Sequence, residues 1–186
     1  MEVKQSKKTK DIKDIYSNCQ LSTQLMLPFS GVGKNIVETL ENMLIKQYEG
    51  KCIVEGYIKP NSIKIITYSS GIIKNSNIIF NVVYNCKVCY PVAGMKLDCV
   101  AENITKAGIR GESKDEQPSP FIVYISRDHY YNNEYFNTIN KGDKFTARVI
   151  AQRFELYDKW ISIIAEIVPK DSSKLNVTKP RIMLNK

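Results

Sequence analysis

The stretch Ile78–Gly94, IIFNVVYNCKVCYPVAG, decides how this chain divides. Its first part, Ile78–Tyr90, is crowded with β-branched and aromatic residues and reads as a long strand, interrupted near Asn85. Pro91 cannot donate to a strand ladder, and Gly94 accepts backbone angles that other residues resist. Strand pairing is therefore expected to stop between them, and the residue pattern differs on the two sides.

Upstream, Leu21, Thr23, Leu25 and Leu27 alternate with Ser22, Gln24 and Met26, the period of a half-buried strand. Pro28, Gly31 and Gly33 end it in a turn. From Lys34 the period lengthens. Ile36, Val37, Leu40, Met43, Leu44 and Tyr48 recur every three or four residues opposite Glu38, Glu41, Asn42 and Lys46, which predicts an amphipathic helix closed by Gly50. Lys51–Ile58 and Ile63–Tyr68 follow as strands, parted by Pro60-Asn61 and, before Ile78, by Ser69-Ser70-Gly71. One helix on an antiparallel sheet, a small α+β layer, is the expected fold of residues 18–92.

Downstream the helical period is gone. Met95–Ile104, Gly108–Gly111, Pro120–Ser126, Lys144–Leu156 and Lys159–Val168 read as five strands, with one helical turn expected in the aromatic-rich segment His129–Phe136. Five strands with a turn of helix after the third is the layout of an OB-type barrel, all-β, over residues 93–168. Residues 1–17 read as a flexible basic arm and residues 169–186 as a basic tail.

With 43% hydrophobic and 25% charged residues in 186, the chain has apolar material for one ordinary core or two small ones, and wholesale disorder is excluded. No run of about 18 apolar residues is present, and the Lys-rich start lacks the apolar centre of a secretory signal, so an intracellular protein without a membrane partner is expected. Five cysteines, an odd number, point to reduced and mostly buried thiols. The net charge of +8 suggests a polyanion partner, but the two tails hold six of the eight excess charges. Residues 95–168 carry ten basic and eleven acidic groups, so the barrel itself is not a basic surface.

The order Ser70-Gly71-Ile72-Ile73, Ile79-Phe80-Asn81-Val82-Val83-Tyr84 and Tyr90-Pro91-Val92-Ala93-Gly94 resembles the join between the two halves of the stalk subunit of multisubunit DNA-dependent RNA polymerases. That subunit is number seven in eukaryotic RNA polymerase II, and the archaeal enzyme has its counterpart. The helix ending at Gly50 and the strand Cys52–Tyr57 fall where the family has them, and Ala107-Gly108-Ile109-Arg110 followed by Val123-Tyr124-Ile125-Ser126 looks like the second and third strands of an S1 domain. The resemblance covers residues 20 to 168. It departs from the family at Ile109, where S1 domains usually carry an aromatic, at Tyr124, where a His is usual, and in the longer acidic loop Glu112–Ser119.

The resemblance implies an RNP-like tip domain joined near Pro91 to an S1/OB-type barrel. It further implies a non-catalytic subunit that anchors on the polymerase core and guides nascent RNA or initiation factors, and often a small helical stalk partner of the subunit four type. A copy encoded by a large DNA virus suits the composition, with a virus factory or virion as its location instead of nucleus or cytoplasm. The core-docking candidates are Pro28, Phe29, Gly31 and Gly33 with Lys59, Pro60 and Asn61. The RNA-binding candidates are Lys106, Arg110, Tyr124, Arg127 and Arg148; alternation turns Tyr124 and Arg148 out of the barrel opposite its apolar set, where Tyr124 stacks a base and the arginines meet phosphates. The competing reading of the same residues is a solvated barrel surface with scattered charges.

Other motifs are read as structural. His129, the only histidine, lacks a nucleophile or carboxylate constellation, so no catalytic residue is expected. Cys86-Lys87-Val88-Cys89 has zinc-knuckle spacing, but no second pair follows and residues three apart on a strand face opposite sides, so no metal or other cofactor is expected. Gly31-Val32-Gly33-Lys34 lacks the first glycine and the hydroxyl of a phosphate loop. Trp160 is expected to close the core. The rival function is a free-standing S1/OB protein that binds single-stranded RNA in translation or RNA decay; an enzyme built on His129 ranks third.

Overall fold

The computed structural model describes residues 15–130 and 134–168. The basic tail and residues 1–14 of the basic arm lie outside the described residues. The last residues assigned to that arm do not belong to it: Tyr16 and Ser17 begin the first strand, and Tyr16 is buried. A tyrosine facing an apolar neighbour ends the arm sooner than its polar composition implies.

The first half contains β1 (Tyr16–Pro28), a 3-10 turn (Phe29–Gly31), α1 (Ile36–Tyr48), β2 (Cys52–Ile53), β3 (Gly56–Ile58), β4 (Lys64–Tyr68), β5 (Ile72–Lys74) and β6 (Asn77–Cys89). These strands form one antiparallel sheet built on β6, which pairs with β1 along its whole length, from Tyr16 opposite Cys89 to Pro28 opposite Asn77. The other edge of β6 is shared in turn by β3, β4 and β5. Helix α1 packs Leu40 and Leu44, one turn apart, into a cluster with Leu25, Leu27, Phe80 and Val82, and ends at Gly50 with φ +70°. Val37, counted in the apolar stripe, is exposed instead.

Three expectations for the sheet need correction. The interruption near Asn85 does not occur, because Asn85 keeps its place opposite Gln20 and Lys64 and turns its amide to solvent. Lys51–Ile58 is not one strand but the hairpin β2–β3. Its Gly56, at φ +127°, lies so close to Cys89 that a Cβ there would overlap the Cys89 carbonyl oxygen. Ile72–Lys74, unassigned from sequence, extends the sheet opposite Ile79–Asn77.

The second half contains β7 (Lys96–Ile104), β8 (Gly108–Ser113), β9 (Phe121–Ser126), a 3-10 turn (Arg127–Tyr130), α2 (Glu134–Thr138), β10 (Lys144–Arg153) and β11 (Ile161–Val168). The strands close into a barrel in the order β7-β8-β9-β11-β10, with β9 and β11 parallel and the other pairs antiparallel. This is an OB-type barrel. Alternate residues fill it: Phe121, Val123 and Ile125 from β9, Phe145, Ala147 and Val149 from β10, and Ile161, Ile163 and Ala165 from β11. Ile122, on the opposite face of β9 from these, is buried too.

The sheet and barrel share an apolar seam. Cys52, Tyr57, Cys89 and Tyr16 form one row across β2, β3, β6 and β1, and all four belong to the barrel's core cluster. Backbone bonds cross the seam, the Cys52 amide donating to the Asp158 carbonyl and the Tyr157 amide to the Cys52 carbonyl, each at 2.8 Å. Lys59 adds a 2.8 Å ion pair with Glu116 while its ammonium sits 4.6 Å from the Tyr16 ring centroid. Cys86 and Cys89 point into different cores, Cys86 under α1 and Cys89 at the seam, so the C-x-x-C pair does not converge.

Burial pushes the Cys52, Cys89 and Cys99 thiols and the Tyr57 hydroxyl up to about 12, and the Cys86 thiol to about 11. An unfolded chain releases its thiol protons near the ordinary value of 9.0, whereas the folded chain holds them to about 12. Unfolding therefore releases protons in that window, and alkali favours the unfolded state. Urea unfolding midpoints are expected to stay level up to about pH 8 and to fall progressively from about pH 9 upward. The Tyr57 hydroxyl is buried without a hydrogen-bond partner among the described residues. Tyr57→Phe is thus expected to leave stability unchanged or raise it by up to about 1 kcal/mol. Tyr57→Ala is expected to lose about 3–5 kcal/mol in the same measurement.

Candidate functional site

On the outside of the barrel, the register aligns Ala151, Ile164, Tyr124, Arg110 and Asn103 in one row across β10, β11, β9, β8 and β7. Tyr124 is 42% exposed and Ile164 56%, and with the turn Thr105–Gly108 they line a groove of about 440 Å³. An aromatic ring beside an aliphatic side chain on the β8–β9 face, next to the first interstrand loop, is the place where OB-type barrels take nucleotide bases. Lys106 is exposed at the crest of that loop.

The arginines behave differently. Arg110 is held by Glu102 at 2.6 Å and by Glu112 at 3.6 Å, so its charge is answered from two sides. The Glu112 carboxyl lies above the usual carboxylate range, mainly because it is partly desolvated and then because Glu102 is bonded and charged beside it; Arg110 offsets only part of this. Arg148 pairs with Glu166, its cross-strand partner, and does not line the groove. Arg127 donates to the Thr105 carbonyl at 3.2 Å, and its guanidinium lies 5.3 Å from the Phe136 ring centroid, so it fastens the loop to the segment after β9. Of the five RNA-face candidates, the fold brings Tyr124, Arg110 and Lys106 together beside the Arg127 that fastens the loop, and among the described residues Lys106 and Arg127 have no carboxylate ion-pair partner.

Sequence reading missed Ile164 and the pair Glu102/Glu112. Ile164 had a signal: Ile161, Ile163, Ala165 and Ile167 take the inward positions of β11, which leaves Ile164 as an apolar residue facing out. Glu112 had one too, since it lies two residues from Arg110 on β8 and so shares its face, but that strand was expected to end at Gly111; Glu102 had none, because its approach to Arg110 depends on the β7–β8 register. Trp160 is corrected: it is 42% exposed and does not close the core. His129 lies in the 3-10 turn after β9, and its side chain is outside the described set.

The docking residues fall into two groups that the fold keeps apart. Pro28, Phe29, Gly31 and Gly33 sit at the end of β1 far from the barrel, where Phe29 is 49% exposed and Met26, Val32, Ile72 and Ile73 add exposed apolar surface. Lys59, Pro60 and Asn61 lie at the barrel end, because the Lys59 amide donates to the Lys87 carbonyl and Lys87 stands opposite Asn18. Ten residues of strand separate that point from Pro28, about 33 Å at the usual rise. The Asn61–Ile63 turn is shaped by Glu49, whose carboxylate accepts three consecutive backbone amides at 2.8–3.0 Å.

The fold and surface define a class: a small antiparallel sheet with one helix, fused through an apolar seam to an OB-type barrel bearing a base-sized apolar groove. No family model matches the chain. It is similar to a protein of Acanthamoeba polyphaga mimivirus provisionally named DNA-directed RNA polymerase subunit L376, with 29% identity over 167 residues, spanning 78% of this chain and 80% of that protein.

If the groove takes bases, Tyr124→Ala lowers affinity for a fluorescein-labelled oligouridylate about tenfold, as loss of one stacking platform implies. Glu102→Gln combined with Glu112→Gln raises it by removing like charge beside the groove. Fluorescence anisotropy at low salt measures both.

Proposed function

We infer that the chain is a subunit of a DNA-directed RNA polymerase and, within that enzyme, the non-catalytic stalk subunit. The similarity to the mimivirus polymerase subunit supports the first part. The observation that carries the second is the succession of a helix-bearing antiparallel sheet and an OB-type barrel fused at Cys52, Tyr57 and Cys89. A rigid two-part body holds one end against a large partner and presents the other some distance away.

In this reading residues 18–92 form the RNP-like tip and residues 93–168 the S1-type barrel. The distal apolar end of the sheet, with Phe29, Met26 and Ile72, docks on the core enzyme, since exposed apolar surface of this kind is what protein interfaces cover. Tyr124, Ile164 and Lys106 meet emerging RNA weakly, because the neighbouring carboxylates leave the barrel face near neutral. A small helical partner of the subunit four type has apolar surface to cover where Val54, Leu156 and Tyr157 border one cleft. The contribution to transcription is positional: the subunit supplies surface near the RNA exit and no reacting group. The protein is a viral copy acting in the virus factory or virion.

Affinity purification of the tagged chain from its native cells at low salt is expected to bring down the large polymerase subunits. Phe29→Asp with Ile72→Asp, both at exposed positions, is expected to reduce that recovery at least about tenfold while leaving the unfolding midpoint in place. Recovery of RNA-decay or translation factors without polymerase subunits would instead select the free-standing RNA-binding protein.

A further inference from the structure

Alternate residues of β1 and β6 divide the sheet into two faces. One is covered by α1; the other is covered by the barrel only at its Tyr16–Cys89 end. Beyond that seam no described residue covers the second face, and its rows are Asn18 opposite Lys87, then Gln20 opposite Asn85 and Lys64. Further out come Ser22 and Val83, Gln24 and Asn81, and finally Met26, Ile79 and Ile72. No Asp or Glu occurs at any of these positions.

The part nearest the barrel is a groove of about 600 Å³, bounded by the Lys59–Ser62 turn and floored by β6. Lys64 and Lys87 enter it from neighbouring strands, diagonal to each other across Asn85. At that relation their Cα atoms are roughly 7–8 Å apart on one face. Both are exposed, and neither has an ion pair among the described residues. Lys59, at the border, is already committed to Glu116 and the Tyr16 ring. Two unanswered ammonium groups side by side repel each other, and an anion between them relieves that repulsion.

We propose that this groove is a binding site for the phosphate backbone of a single-stranded nucleic acid, with Lys64 and Lys87 as its phosphate contacts and Asn18, Gln20 and Asn85 reaching bases or sugars. The amides decide between polyanions. They present donors and acceptors together, as base edges do, whereas an acidic peptide side chain offers acceptors alone. β6 also has both edges paired, so no free strand edge is available to a peptide over this floor. The site lies on the sheet, apart from the barrel groove at Tyr124, and it does not rest on membership in a polymerase.

The test uses the purified full chain and a fluorescein-labelled oligouridylate of about 12 nucleotides, within the span such proteins cover. Anisotropy titrations at several salt concentrations give affinity and its log–log salt slope. Lys64→Gln with Lys87→Gln is expected to weaken binding about tenfold near 50 mM salt and to reduce the slope by about 1.4, two phosphate contacts on a single strand. The unfolding midpoint should not move, since both side chains are exposed. Tyr124→Ala is expected to lower affinity while leaving the slope unchanged, which separates the two surfaces. An unaltered affinity and slope in the double lysine variant, or no measurable oligouridylate binding by the parent chain, overturns the proposal. So does polyglutamate binding that depends on Lys64 and Lys87 when oligouridylate binding does not; the groove would then be a seat for acidic protein. Recovery of polymerase subunits with the double variant is a separate readout, so this site can fail while the stalk reading stands.

Discussion

The alternation of side chains along β6 is the constraint on which the rest of the molecule depends. Its even-numbered residues from Phe80 to Val88 enter the core beneath α1, and Cys89, one position further, enters the core of the barrel. A single strand thereby belongs to two hydrophobic clusters, and slipping its register by one residue would expose both. The row from Cys52 through Tyr57 and Cys89 to Tyr16 then ties sheet to barrel with packed side chains in place of a loose linker. The elevated thiols at the seam are a by-product of this packing. They report that the environment is dry; they do not mark a reactive centre.

Charge is distributed to match that architecture. On the barrel, two of the three arginines that look available in sequence are answered by carboxylates: Arg110 by Glu102 and Glu112, Arg148 by Glu166. Ion pairs this exposed add little stability, so their main consequence is to cancel a field that would otherwise attract RNA from a distance. The open face of the sheet is the reverse case, with lysines and amides and no carboxylate. The charge left unanswered among the described residues therefore lies more on the sheet face than on the barrel face, although the barrel's fold is the one associated with nucleic acid.

Length separates the surfaces. β1 and β6 each run thirteen residues, long enough to hold the exposed apolar end of the sheet well clear of the barrel and its groove. Residues 59–61 and 28–33, grouped together as docking candidates by the family resemblance, occupy opposite ends of this span. Turn composition reveals that a chain reverses direction, but not which end of the sheet the turn occupies.

Periodicity in the amino-acid order was enough to place α1 and nearly all the strands, because burial imposes a period of two on strands and near 3.6 on helices. It also separated Cys86 from Cys89, since a three-residue spacing crosses the sheet. The partners of each outward-facing side chain were decided only by tertiary structure. Arg110 meets Glu102, Tyr124 meets Ile164, and Lys64 approaches Lys87 through strand register alone, and register is set by how two distant segments align when their apolar faces are buried together. No local pattern encodes that alignment, which is why the core was legible in one dimension and the pairing of surface side chains was not.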